Sequence, residues 1–246
     1  MHNQGLVKTV KFKNPKYVGD PINAVKIFNE KEADELMVID IDATHENQEP
    51  DYKMIENLAV ECRMPLCYGG GIKTLEQAQR ICGLGVEKVA ISSIAVENPG
   101  IISKIAEHVG SQSVVAVLDV KKRMLGDRYD IWTHNATKNR KQCPIACAKQ
   151  MEELGAGEIV INSIDCDGVM KGYDIDLAKK IRKAVHVPLT LLGGAGSLND
   201  IRELINTFGV IGAGAGSMFV FKGVYRAVLI NYPSCSEKDK LAMLVQ

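Results

Sequence analysis

The chain has 246 residues, 46% of them apolar, enough for a large core and close to the ~250 residues of a single α/β barrel. Thirty Lys and Arg balance thirty Asp and Glu, so no basic field marks a nucleic-acid binder. No apolar run approaches the ~20 residues of a membrane span and no signal peptide opens the chain, which points to a cytoplasmic protein without a membrane partner.

In chain order, Leu6–Phe12 alternates like a short strand. A helical pattern over Pro21–Asn29 precedes a strand-like run at Glu35–Ile41. Helix and strand then alternate: Tyr52–Cys62, Leu66–Tyr68, Leu75–Leu84, Lys88–Ile91, Pro99–Val109 and Val114–Val120. The second half continues with Ile145–Leu154, Glu158–Asn162, Asp176–Ala184, Leu189–Leu192, Leu198–Phe208 and Val210–Ala213. Strands without clean polar alternation, joined by helices, predict a parallel sheet covered by helices. No linker or low-complexity stretch divides the chain, so one domain is expected over residues 1–246. The seven cysteines are scattered and form no CxxC, so neither a zinc site nor a disulfide framework is expected; no metal and no cofactor are called for.

The most informative feature is a unit written twice. Gly69-Gly70-Gly71 and Gly193-Gly194-Ala195-Gly196 each follow a proline-led apolar run and each precede a helix start, Thr74-Leu75-Glu76 and Ser197-Leu198-Asn199-Asp200. At the same offset Glu35 falls on Glu158, Asp42 on Asp165 and Pro65 on Pro188. The pattern is that of a (β/α)8 barrel made of two half-barrels, residues 1–112 and 113–246. The offset also shows a gap. Val114–Asp119 has no partner in the first half, so seven barrel strands are counted and the first is missing. Either the barrel is incomplete, through truncation at the N-terminus, or Leu6–Phe12 fills the vacant place; the repeat assigns Leu6–Phe12 instead to a hairpin, and the incomplete barrel is the favoured expectation.

In such barrels the reactive face lies at the C-terminal ends of the strands. Asp119 ends the longest apolar run, where partial burial would raise its pKa and suit it to acid–base work; a structural carboxylate bonding loop amides is the alternative. Asp165-Cys166-Asp167-Gly168 follows another strand. A calcium loop is excluded by missing ligands. On an extended segment the two aspartates would share a face; Asp165 suits an Asx-type turn equally, and Asp167 is the preferred functional residue. The glycine clusters let backbone approach a phosphate. Gly70 and Gly71 with Ser92 and Ser93 would form one end of a site, and Gly193 and Gly194 with the run to Gly216 and Ser217 the other, so that a ligand with two phosphates would span the mouth. Tight strand–helix packing without a ligand is the alternative. Lys8 is a candidate lid residue over an anion, or an ordinary solvated lysine. Trp132 and His134, in a hairpin after Asp119, could contact a ligand or a partner, but a simple loop role is preferred.

Several stretches carry a family resemblance: Gly-Asp-Pro at 19–21, Tyr-Gly-Gly-Gly-Ile at 68–72, Ala-Val-Glu-Asn-Pro at 95–99, Asp-Gly-x-x-x-Gly-Tyr-Asp at 167–174 and Gly-Gly-Ala-Gly at 193–196. From about residue 5 to about residue 230 the chain resembles the cyclase subunit of imidazole glycerol phosphate synthase. The resemblance implies a (β/α)8 fold, a bisphosphate ribonucleotide substrate, and ammonia delivered by a glutaminase subunit docked at the N-terminal end of the barrel. It makes Asp119 one of two catalytic aspartates, the other lying on the missing strand. It places Gly70, Ser93, Gly193, Gly194 and Ser217 at phosphate positions and Asp167 at a polar active-site position. Glu35, Lys88 and Glu158 become charged residues around the ammonia entrance. Ser92, Asn162, Val169 and Leu192 depart from the family pattern. The segment 6–17 is more similar to a divergent branch encoded with surface-polysaccharide genes, which assists amidine formation on a sugar.

Overall fold

The computed structural model describes residues 1–245. β1 (Leu6–Val10) and β2 (Lys13–Gly19) pair antiparallel in a hairpin of their own, followed by α1 (Pro21–Glu30). The chain then alternates through β3 (Leu36–Ile39), α2 (Tyr52–Glu61), β4 (Leu66–Gly69), α3 (Leu75–Gly83), β5 (Lys88–Ile91), the short α4 (Ser93–Glu97) and α5 (Gly100–Val109). β6 (Val114–Lys122) outruns its neighbours and pairs with β7 (Tyr129–Thr133), which pairs with β8 (Lys138–Asn139). The second half repeats the alternation with α6 (Pro144–Glu153), β9 (Glu158–Ser163), α7 (Ile175–Arg182), β10 (Leu189–Leu192), α8 (Leu198–Phe208), β11 (Gly212–Ala213) and α9 (Ser217–Val220). A small hairpin of β12 (Phe221–Lys222) and β13 (Ala227–Val228) precedes α10 (Cys235–Ala242).

The duplication is built from matched helix starts. Pro21 and Pro144 each occupy a first helical position, where a missing N–H costs nothing. Asp51 and Asp174 cap α2 and α7 by accepting from Met54 N and Leu177 N. Thr74 with Gln77, and Ser197 with Asp200, form capping boxes on α3 and α8. Each cap satisfies an otherwise orphaned amide and contributes roughly 1 kcal/mol, so equivalent residues start equivalent helices.

The barrel strands lie in the order β11-β10-β9-β6-β5-β4-β3, every pair parallel. That order follows the chain, as barrel closure requires, but the described sheet is open between β11 and β3. β1 pairs with β2 alone, so Leu6–Phe12 does not fill the vacant place. The hairpin assignment holds: β1 stands where β7 stands in the second half. Beside β3 one residue extends the sheet, with Ile41 N donating to Met1 O at 3.1 Å and the Met1 amino group donating to Ile39 O.

Successive side chains on these strands face opposite ways. The outward set packs under the helices with Ile55, Leu58, Ile81, Ile105, Met151, Ile181 and Leu204, all buried. The inward set is smaller: Cys67, Ala90, Val115, Val117 and Val160, with Met37, Ile39 and Leu192 packed against them. Burial of each large aliphatic side chain contributes roughly 1.5–3 kcal/mol, so the outer layer carries most of the stability, while the inner one lines the axis. No helix among the described residues is long and apolar enough to cross a membrane.

Candidate active site

Three neighbouring strands present the same sequence of chemistry along the axis. β5 offers Lys88, then Ala90, with Ser92 just beyond its end. β6 offers Val115, Val117 and Asp119, and β9 offers Glu158, Val160 and Asn162. Parallel register sets Val115 beside Glu158 and Asp119 beside Asn162. An ion cluster at the N-terminal end, an apolar bore and a polar mouth follow directly from period-two alternation.

At the mouth, Asn162 Nδ2 donates to Asp119 Oδ1 at 3.0 Å and Ser92 Oγ donates to Asp119 Oδ2 at 3.4 Å. Burial pushes the Asp119 carboxyl up to about 7; the bonds from Asn162 and Ser92 pull it part of the way back, and the Asp167 carboxylate adds to the rise. A group balanced there can take up and return a proton near neutral pH. Asn162 Oδ1 is buried without a hydrogen-bond partner. A buried acceptor left open costs free energy unless a ligand or water completes it.

At the opposite end, Lys88 Nζ lies 2.9 Å from both Glu35 and Glu158. Thr190 Oγ1 donates to the other Glu158 oxygen at 2.7 Å. The Lys88 and Glu158 side chains are only 24% and 12% exposed. Burial works against the Lys88 ammonium, but hydrogen bonds to the two glutamates outweigh it and hold the group above its ordinary value. Glu35, Lys88 and Glu158 therefore meet in one cluster. Beside it opens a cleft lined by Pro65, Cys82, Val86, Glu87, Lys88 and Val109.

The glycines of both clusters are required by close approach of backbone. Gly70 has φ +115 and a Cβ there would collide with the Asp40 carbonyl; Gly194 has φ +113 and would collide with that of Gly172. Gly71 and Gly193 are likewise packed against neighbouring loops. The first-half serine is engaged: Ser93 Oγ accepts from His134 N at 3.0 Å, which fixes the β7–β8 hairpin over α4. In the second half the Lys8 side chain lies against Gly216, where a Cβ would collide with Nζ. Among the described residues Lys8 has no ion-pair partner. Burial holds its ammonium below the ordinary value, and Asp167 draws it partly back. Ser217 is 7% exposed and accepts from Arg226 Nη2 at 3.5 Å.

Asp165 and Asp167 do not share an extended face, because residues 164–169 form a turn. Asp165 accepts from Lys122 N at 2.9 Å. Asp167 Oδ2 accepts from Thr9 Oγ1 at 2.7 Å and Phe12 N at 3.0 Å, tying the β1–β2 hairpin to the mouth. Its evident work is to hold Lys8's hairpin in place. Trp132 sits beneath Lys121 Nζ at 5.2 Å. Arg226 was not visible as a site residue in the sequence; the one available sign is that residues 223–232 should repeat α5 and do not.

Fold and inner face together define a parallel (β/α)-barrel protein with an acid at its mouth and an ion cluster at its base. Residues 2–226 match the model of the family described as histidine biosynthesis protein, and the chain belongs to that family. It is 62% identical to an imidazole glycerol phosphate synthase subunit hisF3 (a provisional name) of Vibrio vulnificus, over 98% of this chain and 92% of that one. It is 57% identical to a provisionally named HisF subunit of Leptospira interrogans, over 96% and 93%. The imidazole glycerol phosphate synthase subunit HisF of Petrotoga mobilis is 37% identical, over 90% and 87%.

Proposed function

We propose that the chain is the ammonia-using cyclase subunit of an imidazole glycerol phosphate synthase. It would use ammonia to convert a phosphoribulosyl-formimino aminoimidazole carboxamide nucleotide to imidazole glycerol phosphate, for histidine biosynthesis, and an aminoimidazole carboxamide ribotide. The observation that carries this reading is the continuous inner face from the Glu35–Lys88–Glu158 cluster, past Cys67, Ala90, Val115, Val117 and Val160, to Asp119. Neutral ammonia is small and needs no charge compensation in an apolar bore, whereas ammonium does. A glutaminase partner seated over the cleft beside Lys88 would release ammonia at the cluster. Asp119 then accepts a proton from the attacking ammonia as the new carbon–nitrogen bond forms and water leaves, and returns a proton to the aminoimidazole amine that departs as the ring closes. The glycine clusters hold the phosphorylated ribonucleotide at the mouth.

A second reading is favoured by the division among relatives. Those at 52–62% identity carry provisional or numbered subunit names, and those named HisF without qualification stand at 37–39%. In that reading the barrel passes ammonia to a separate enzyme that forms an amidine on a surface-polysaccharide sugar. Deletion of the gene separates the two. Histidine auxotrophy, rescued by the full chain, is the expected result; histidine prototrophy with altered surface polysaccharide would replace the first reading by the second.

A further inference from the structure

The internal repeat breaks at one place near the mouth. Residues 223–232 occupy the positions equivalent to α5, Gly100–Val109, yet they form the turn and second strand of the β12–β13 hairpin and the segment after it. The hairpin turns the chain back over α9 and delivers Arg226, whose φ of +50 is a conformation that non-glycine residues rarely adopt. The guanidinium stacks 4.6 Å over the Phe221 ring. Nη1 reaches Gly168 O at 3.3 Å, Nη2 reaches Ser217 Oγ at 3.5 Å, and Nε is buried with no partner. No carboxylate pairs with it among the described residues. Lys8 approaches the same dipeptide from the β1–β2 hairpin, against Gly216. Two cations from opposite ends of the chain therefore bracket Gly216-Ser217, and among the described residues neither is in an ion pair, Asp167 being the carboxylate that acts on Lys8.

A separate pocket against β3 is lined by Met1 and by Asp40, Asp42, Glu46, Glu49 and Asp51, together with uncharged side chains, a carboxylate-rich lining that disfavours an anion. At Gly216-Ser217 the lining is cationic instead, and an arginine can bind phosphate through a planar pair of donors.

We infer that Arg226 is a further phosphate-binding residue of the mouth, a second cation that joins Lys8 over Gly216-Ser217 to hold the phosphate of a phosphomonoester. The inference rests on the reading that the mouth takes a phosphorylated ligand, and it names the residue that reading lacked. Burial holds the Lys8 ammonium below its ordinary value, and a bound dianion would draw it back up.

The test titrates the full chain with inorganic phosphate at constant ionic strength, by calorimetry and by the rise in melting midpoint that binding must produce. Arg226→Ala and Lys8→Ala are each expected to weaken phosphate binding by about tenfold or more, with Arg226→Lys intermediate. Lys73→Ala, at the first-half end, should leave it unchanged. If Arg226→Ala lowers the midpoint in phosphate-free buffer, Arg226→Lys and Arg226→Gln carry the comparison. Unaltered binding in the Arg226 variants, with loss in Lys8→Ala, overturns the role of Arg226 and leaves the phosphate site standing. Loss in Lys73→Ala moves the anchor to the other end. Absence of phosphate binding in the unmodified chain overturns the site itself.

Discussion

Replacement of Asp119 by asparagine keeps the shape of the side chain and removes its titration. The carboxyl is pushed from its ordinary 3.8 to about 7 inside the fold. At 1.36 kcal/mol per pKa unit, ionising it there costs up to ~4 kcal/mol more than ionising it in the unfolded chain. Its position at the edge of the mouth, within reach of water, makes that an upper bound. The folded chain holds the proton more tightly. The stabilising contribution is therefore complete below pH 3.8 and is lost as pH rises to about 7. Asparagine escapes that loss. Asp119→Asn should therefore raise the melting midpoint at pH 8 by up to ~8 °C, against up to ~3 °C at pH 5. The same variant should lose roughly 10²-fold or more of its turnover, because the proton acceptor is gone. Thermal unfolding of both proteins at the two pH values, with an ammonium-driven turnover assay, measures all of this. An identical change in midpoint at pH 5 and pH 8 would refute the raised acidity. Turnover that survives the substitution would refute the catalytic role.

Lys88→Met leaves Glu35 and Glu158 facing each other without their cation. It should cost about 1–3 kcal/mol in denaturant unfolding and depress glutamine-driven turnover far more than turnover driven by ammonium salt. Gly70→Ala forces a side chain onto φ +115 and into the Asp40 carbonyl, for a loss of roughly 2 kcal/mol or more. Gly83→Ala, at the open end of α3, should be neutral or slightly stabilising in the same experiment. Asn162→Leu removes the 3.0 Å bond that favours the ionised Asp119, so the acidic limb of the pH–rate profile should move upward from about 7; a limb that stays in place would separate Asn162 from the acidity of Asp119.

Much of the architecture was legible in the residues because its causes are local. Proline at Pro21 and the helix starts at Thr74 and Ser197 act within one helical turn, so helix starts and the duplication could be read together. The strand Val114–Val120 likewise needed only its apolar run, and the repeat linked Glu35 to Glu158, whereas Lys88 was joined to them by the family resemblance. The turn at residues 164–169 was misread as extended because its conformation depends on anchors elsewhere: Lys122 holds Asp165, and Thr9 and Phe12 hold Asp167. Arg226 escaped notice for the same reason, since its place beside Ser217 exists only once the β12–β13 hairpin folds back over α9.

The sequence by itself determined the parallel barrel plan, its twofold repeat and the list of polar residues at the strand ends. Only the tertiary structure decided which of those residues act together. The acidity of Asp119 is set by burial and by Ser92, Asn162 and Asp167, which come from three other segments. Lys8 and Arg226 meet at Gly216-Ser217 from opposite ends of the chain. Helix caps and strand patterns are fixed by neighbours in the chain, whereas proton affinity and anion binding depend on the charges and low-dielectric walls that folding places around a group.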